Sequence, residues 1–320
     1  MTNSSEKQLT SIPISVKPTM IAASDSIRAI KRRFILSLCS ISLLGLGVAI
    51  YQIFSLEVTR LSVIIFLVMY ILCGLGITVG FHRYFAHRTF KTTRFIEICL
   101  AILGSMSAQG SVVAWVSVHR CHHQYSDLEG DPHSPHLKGE GIKERWQGLW
   151  HSHLGWLLDD KLPNSMIFAK DLIQDSIIVQ INRLYIFWIV LGVLIPSVLE
   201  GILTWSWYGA FQGFIWGGIA RLFFSFHGGY TINSIAHLFG QRPFVSKDQS
   251  RNNFWLALPT LGEGWHNNHH AFPNSARFGL QWWQIDLGYG LIWILKRCGL
   301  IWEVKVPNIG MIEAKLVKVS

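Results

Sequence analysis

Residues 61–88 read LSVIIFLVMYILCGLGITVGFHRYFAHR, and this stretch sets the class of the fold. Its first 21 residues, 61–81, carry no charge, whereas the next seven carry two histidines and two arginines. As a helix the uncharged run would rise about 30 Å, the thickness of a hydrocarbon core. Lipid offers no partners to a polar backbone, so a run of this kind is expected to be a transmembrane helix. Upstream, residues 34–54 form another uncharged run of 21, separated from the first by a short linker holding Glu57 and Arg60. The pair predicts a hairpin. Arg28, Lys31, Arg32 and Arg33 precede it and HRYFAHR follows it, which places both ends in the cytoplasm by the positive-inside bias. Residues 1–33 are polar and lack the apolar core and cleavage site of a secretory signal, so they read as a flexible cytoplasmic tail.

Further along, residues 95–118 are apolar but include Glu97, Ser105, Gln109, Gly110 and Ser111. A full span there would throw the histidines on either side of it onto opposite faces of the membrane. A buried or half-inserted helix is expected instead. Residues 120–183 are mixed and polar, a soluble section. A second hairpin is expected at 184–231, its arms near 184–207 and 208–230, interrupted by Pro196 and Glu200 and carrying Arg221. Residues 232–320 return to the cytoplasm, since the apolar stretch 287–302 is short and broken by Lys296 and Arg297. The predicted architecture is an all-α integral membrane protein. Four transmembrane helices in two hairpins (34–81 and 184–231) carry a cytoplasmic helical cap (82–183 and 232–320) that holds a di-metal site, with both termini on the cytoplasmic side.

Composition agrees with a membrane protein: half of the 320 residues are hydrophobic and 15% are charged. The net charge of +9 is scattered, not gathered into a basic face, so nucleic acid is not an expected partner. It suits an anionic leaflet or an acidic partner protein. The five cysteines suggest no disulfide framework.

Histidine carries the chemistry. In GEGWHNNHHAFP (262–273), His266, His269 and His270 lie at offsets 0, 3 and 4, within one arc of roughly 100° on a helix. HRCHH repeats that spacing with His119, His122 and His123; HRYFAHR adds His82 and His87, and NSIAH adds His237. His82 and His87 are five apart, about 140° on a regular helix, so they are expected to bracket a helix end or to serve different metals. Nine histidines exceed what one ion uses and favour a dinuclear centre. Nearly carboxylate-free ligands point to a transition metal, with iron, zinc and copper inseparable on ligand type. Chemistry on a lipid chain at a membrane surface would need an oxidant made from iron and O₂.

HRYFAHR, HRCHHQYSD and GEGWHNNHH resemble the three histidine boxes of membrane-bound fatty-acid desaturases. NSIAH resembles the extra element of the Δ9, stearoyl-CoA desaturase-like branch, and the likeness runs from about residue 70 to 273. The resemblance implies a diiron enzyme that inserts a cis double bond between carbons 9 and 10 of a saturated acyl chain, using O₂ and two electrons. It implies His82, His87, His119, His122, His123, His237, His266, His269 and His270 as ligands to two iron ions, and Asn233 as the residue holding a metal-bound water. It also implies a kinked tunnel with Gln109 and Trp115 at the bend, Tyr70 and Gly74 where it closes, and Tyr230 in its wall. From nearness in sequence, Asp127 and Asp131 are expected to orient ligand imidazoles. His133, His136, His151, His153 and His227 fall outside the boxes, and Cys121 occupies a non-ligand position in one.

Departures from the pattern bear on the substrate. AQGSVVAWVSV before the second box has Gly110, Ser117 and Val118 where acyl-CoA enzymes carry polar or charged residues, and Tyr230 stands where they have Trp. The resemblance therefore implies the bacterial or plastid type, acting on a glycerolipid, with acyl-CoA or acyl carrier protein as alternatives. The HPGG of a fused cytochrome b5 is missing, so electrons are expected from an external carrier, ferredoxin before cytochrome b5. Two rival functions are a membrane diiron hydroxylase or alkane monooxygenase and a zinc-binding receptor or transporter; NSIAH and the clustering of histidines at the helix ends speak against them.

Overall fold

The computed structural model describes residues 19–317, which are mostly helical. The first long helix, α1 (Asp25–Phe54), begins nine residues before the apolar run, because Ser24 caps it and Asp25 favours its positive N-terminus. Its charged first turns are tied down: Arg28 and Arg32 both reach the Asp160 carboxylate at 3.0 Å. Ahead of the helix, a strand β1 (Met20–Ala22) pairs antiparallel with β2 (Lys161–Pro163). Residues 19–33 are thus strand and helix where a flexible tail was expected; the rest of that tail, 1–18, lies outside the described residues.

The second helix, α2 (Arg60–Ala86), does not stop at residue 81. Its last stretch, Gly76–Ala86, is wound as a π-helix and carries His82 within it, with His87 as its cap. At 1.5 Å per residue His82 stands about 33 Å from the start of α2, at the far edge of a bilayer core. The expected buried helix is two helices, α3 (Arg94–Met106) and α4 (Val112–Tyr125). Between them Ala108 and Gly110 take φ values of 61° and 125°, which end the first helix and re-aim the second. Gly76 and Gly104 mark the crossing of α2 and α3: a Cβ at Gly76 would stand 2.2 Å from the Gly104 nitrogen.

Next come α5 (Tyr185–Thr204), kept helical through Pro196, and α6, a continuous α-π-α rod over 207–238. Both α2 and α6 thus run on past the expected boundaries at 82 and 232. The first box and NSIAH ride on the last turns of α2 and α6 instead of on separate segments. Among the described residues three helices, α1, α2 and α5, are long and apolar enough to cross a membrane. The fourth expected span, α6, is interrupted by Gln212 and by Arg221. Arg221 is fully buried and is neutralised by carbonyls, not by an acid: it donates to Gly217 at 2.8 Å and to Met106 at 3.3 Å. Met106 ends α3, so the guanidinium also meets the negative end of that helix.

The two hairpin turns meet at one end, where the Tyr208 hydroxyl donates to Glu57 (3.2 Å) and Ser62 to Glu200 (2.5 Å). Leu44, Ile64 and Leu203 are exposed along the rods, as a lipid-facing surface requires. At the opposite end Phe81, Phe85, Ala101, Val112 and Val116 form a buried core beneath the histidines. Each large member contributes about 1.5–3 kcal/mol by leaving water.

Candidate metal centre

Local structure explains how each histidine arrives. In the π-wound end of α2 the His87 N–H bonds the His82 carbonyl at 3.1 Å, an i to i+5 bond. The extra residue per turn brings the two rings onto one side, 5.1 Å apart between centroids. Their five-residue spacing thus fits a helix end with both histidines in one group, not a division between two metals. Arg120, in HRCHH, donates to the carbonyls of Phe85 (2.6 Å) and Ala86 (3.0 Å) and so caps α2 from the second box. The third box is a six-residue helix, α7 (His266–Ala271), too short to hold itself. Asn267 and Asn268 clamp it: the Phe244 N–H donates to Asn267 Oδ1 (2.9 Å), and Asn268 Nδ2 donates to the Phe278 carbonyl (2.7 Å). The NN of HNNHH faces away from the histidines and fastens them.

All nine expected ligands converge, in two groups. His82, His87, His119, His123 and His269 form one; His122, His237, His266 and His270 form the other. Within each group the ligand nitrogens lie within 4.8 Å of one another. In the first, His269 Nε2 is 2.9 Å from His82 Nε2 and 2.8 Å from His123 Nε2, and His87 and His119 meet at 2.7 Å. In the second, His237 Nε2 and His266 Nε2 are 2.9 Å apart. The His123 and His270 rings stack at 4.4 Å and join the groups.

Four carboxylates fix the rings. Each accepts from an Nδ1–H: Glu263 from His82 (2.5 Å), Asp131 from His122 (3.0 Å), Asp127 from His237 (2.9 Å) and Asp248 from His270 (2.6 Å). A ring that donates from Nδ1 keeps a bare Nε2 lone pair, the form a metal binds. His122 Nε2 and His270 Nε2 are buried with no partner in the protein, as are Nδ1 of His266 and His269. Converging lone pairs and orphaned nitrogens are the pattern a pair of ions would satisfy, and the residues fit such a centre. Asp131 acts on the box beside it, as nearness in sequence suggested. Asp127 acts on His237, 110 residues away, and not on the neighbouring box.

Burial pushes His87, His119, His123, His266 and His269 well below their ordinary values, and nearby imidazoles add to this, so these rings are neutral. Burial also opposes charge at His270, lowered to about 4 against the pull of Asp248, whereas at His122 the Asp131 carboxylate outweighs burial and the value rises. Asp127, Asp131 and Asp248 resist the upward push of burial and sit well below the carboxylate range because their histidines hold them charged. Three of the four carboxylates serve the four-histidine group. Asp248→Asn is expected to lower that group's metal affinity about 10–100-fold. Metal titration of the stripped protein measures this, and an unchanged affinity would mean that His270 keeps its aim without the carboxylate.

Glu263 and Asp248 were not singled out from the sequence. Glu263 had a signal, an acid three residues before His266 in an otherwise apolar and histidine-rich box; Asp248 lies in a polar loop with no periodic relation to His270. Outside the boxes, the His133 ring lies tilted against that of His122 at 4.4 Å, His136 donates to the His237 carbonyl (3.0 Å), and His153 pairs with His227 (2.9 Å). Cys121 is buried, its thiol pushed up to about 12 by burial and then by Asp131, so it is unreactive at neutral pH.

A cavity of about 750 Å³ reaches this centre, where His82, His119, His122 and His266 line it. Its walls include Gln109, Trp115, Tyr230 and Asn233, and Lys31 and Lys161 stand at its surface end. Trp115 stacks on the His119 ring at 4.9 Å. Asn233 lies one turn before His237 on α6. Tyr70 and Gly74 do not reach this cavity; they line a separate one of about 50 Å³ beyond Gln109.

The description "Fatty acid desaturase" belongs to the family whose profile matches residues 59–293. A hex-5-enoyl-[acyl-carrier protein] acetylenase of Moorena producens is 50% identical over 305 residues, 95% of each chain. An sn-1 stearoyl-lipid 9-desaturase of Synechocystis is 38% identical over 84% of this chain and 78% of its own, and Delta-9 acyl-lipid desaturase 1 of Arabidopsis thaliana is 37% identical over 76% and 74%. With these likenesses spanning the helices and all nine histidines, the chain belongs to the fatty acid desaturase family of membrane oxidoreductases.

Proposed function

We propose that this chain is a diiron, O₂-dependent desaturase that removes two hydrogens from neighbouring carbons of an acyl chain lying in the 750 Å³ cavity. The observation that carries the reading is the meeting of two histidine groups, with lone pairs directed inward, along a largely apolar cavity. Iron at these groups supplies the oxidising power from O₂. The protein supplies position: Trp115 and Gln109 shape the wall beside the histidines, and a chain confined there presents one carbon pair and no other. Asn233, which lines the cavity one turn before His237, would hold a water beside the four-histidine group. Overall, O₂, two electrons and two protons become two waters while CH₂–CH₂ becomes CH=CH. An external one-electron carrier brings the electrons, and the basic chain favours an acidic one such as ferredoxin. In this reading α6 is the fourth span, and both termini and the centre face the cytoplasm.

Two substrates compete. Among relatives at 36–38% identity, two are named sn-1 stearoyl-lipid 9-desaturase and one Delta-9 acyl-lipid desaturase, in line with the resemblance to the Δ9 branch, whereas others at 38% are named for position 5 of acyl-CoA chains. The 50% relative is named for a six-carbon chain on acyl carrier protein, and that likeness covers 95% of both chains. Expression in a host lacking its own desaturase, with ferredoxin supplied, tests the family reaction and separates the two. Isolated enzyme is expected to carry about two iron ions and to yield alkene. Alcohol as the only product, or zinc as the only metal from an iron-supplied host, would sink the reading.

A further inference from the structure

Resting on the desaturase reading above, we infer that this enzyme takes a short acyl chain and reacts near its methyl end. Two unequal cavities meet at one wall. The larger, about 750 Å³, runs from the lysines Lys31 and Lys161 to the histidines; the smaller, about 50 Å³, shares Ile77, Gln109, Gly229, Ile232 and Glu263 with it. Glu263 accepts the His82 hydrogen bond, so this shared wall stands beside the metal group. A chain entering methyl-first at the lysines passes the histidines before it meets the wall. Only what fits the smaller space continues, and 50 Å³ holds about four water-sized groups. A bond at carbon 9 of a stearoyl chain would leave eight carbons beyond it, about twice that room.

The wall is built, not loosely filled. Gln109 Nε2 donates to the Ser225 carbonyl at 2.8 Å, and a Cβ on Gly229 would stand 2.5 Å from Gln109 Oε1. Across the smaller space the Tyr70 hydroxyl donates to the Pro259 carbonyl at 2.6 Å, and Leu261 Cδ1 would lie 2.7 Å from a Cβ on Gly74. Leu261 is buried and cannot swing away with its backbone: its carbonyl accepts from the Gly288 N–H at 2.9 Å, its own N–H donates to Leu258, and its φ of 57° is held in the left-handed region. Leu261 is thereby the plug that sets chain length, with Tyr70 and Gln109 framing it. The step is that of the parent reaction: two hydrogens leave adjacent carbons near the methyl end, and O₂ takes them, with two electrons from the external carrier and two protons from solvent, to give two waters.

Iron-loaded enzyme with reduced ferredoxin is offered hexanoyl-, octanoyl- and octadecanoyl-acyl carrier protein and vesicles of dioctadecanoyl phosphatidylglycerol, and the bond position in each product is mapped by mass spectrometry. The new bond is expected within about four carbons of the methyl end, with kcat/KM falling about tenfold for each methylene the distal space cannot take. Binding of the same acyl-carrier proteins without reductant, measured by calorimetry, should follow the same length order. Leu261→Gly suits the left-handed backbone and removes the plug, so it is expected to bind and convert longer chains, with the bond farther from the methyl end. A carbon-9 bond in octadecanoyl chains as the main product of the unaltered enzyme overturns the inference and leaves the desaturase reading intact. An unchanged length range in Leu261→Gly overturns the plug. No alkene from any chain with two irons bound overturns both the inference and its parent.

Discussion

Replacement of His269 by alanine is expected to lower metal content by about one ion per chain and to abolish alkene formation, while the protein still inserts in the membrane and folds. His269 is the hub of the five-histidine group: its Nε2 meets His82 at 2.9 Å and His123 at 2.8 Å, and its ring lies 4.7 Å from that of His87. Removing it takes away the nitrogen toward which two others converge, and four rings held by α2 and α4 cannot move in to replace it. The four-histidine group keeps all of its members and three carboxylates, so it should retain its ion. The side chain makes no bond that supports α7, which Asn267 and Asn268 clamp from the other face. Stability should therefore change little. Metal analysis by mass spectrometry, together with turnover, is the measurement. Two ions per chain with full activity would remove His269 from the centre, and His119→Ala or His266→Ala is expected to fail in turnover in the same way.

Those histidines were legible because their spacing is local: offsets of 0, 3 and 4 on a helix report a shared face without any knowledge of the fold. The long apolar rods were legible for the same reason, as uncharged runs long enough to cross lipid. What escaped was set by contacts distant in sequence. Asp127 looks like a partner of the box beside it, yet it hydrogen-bonds His237, 110 residues away. Asp248 finds His270 through a loop with no repeat. The π-winding of Gly76–Ala86 has no compositional signature, and without it the spacing of His82 and His87 leaves open a helix end or two different metals, of which the structure shows the helix end. The anchoring of the first turns of α1 and the β1–β2 pairing depend on Asp160 and residues 161–163, far down the chain. Tyr70 and Gly74 fall beyond the main cavity because Gln109 packs against Gly229, a closure no hydropathy pattern reveals.

Arg83→Leu is expected to destabilise the protein by about 3–5 kcal/mol, the cost of stripping the partner from buried charges. In HRYFAHR this arginine could pass for a surface or snorkelling residue, yet it is fully buried. It donates to Glu263 at 3.1 Å, to Asp286 at 2.9 Å and to the Ala276 carbonyl at 2.9 Å, and its guanidinium lies 3.6 Å above the Phe278 ring. Leucine leaves both acids buried without their cation. Glu263, which His82 and then Arg83 hold below its ordinary value against its burial, would keep the His82 contact but lose the cation that also anchors its carboxylate, so its hold on the His82 Nδ1–H would loosen. Stability and metal binding are thus coupled through one residue that touches no metal. A melting temperature lower by roughly 10 °C in detergent, with reduced metal affinity in the five-histidine group, is the expected result. Arg83→Lys keeps the charge but loses the planar fork that spans two acids, so it should fall between the two. Adding Glu263→Gln to Arg83→Leu removes one of the stranded charges and should recover part of the stability without restoring metal affinity. If Arg83→Leu melts within about a degree of the unaltered protein, the two acids are accommodated by water or protonation at little cost, and the buried arginine is not what holds the first box to the third.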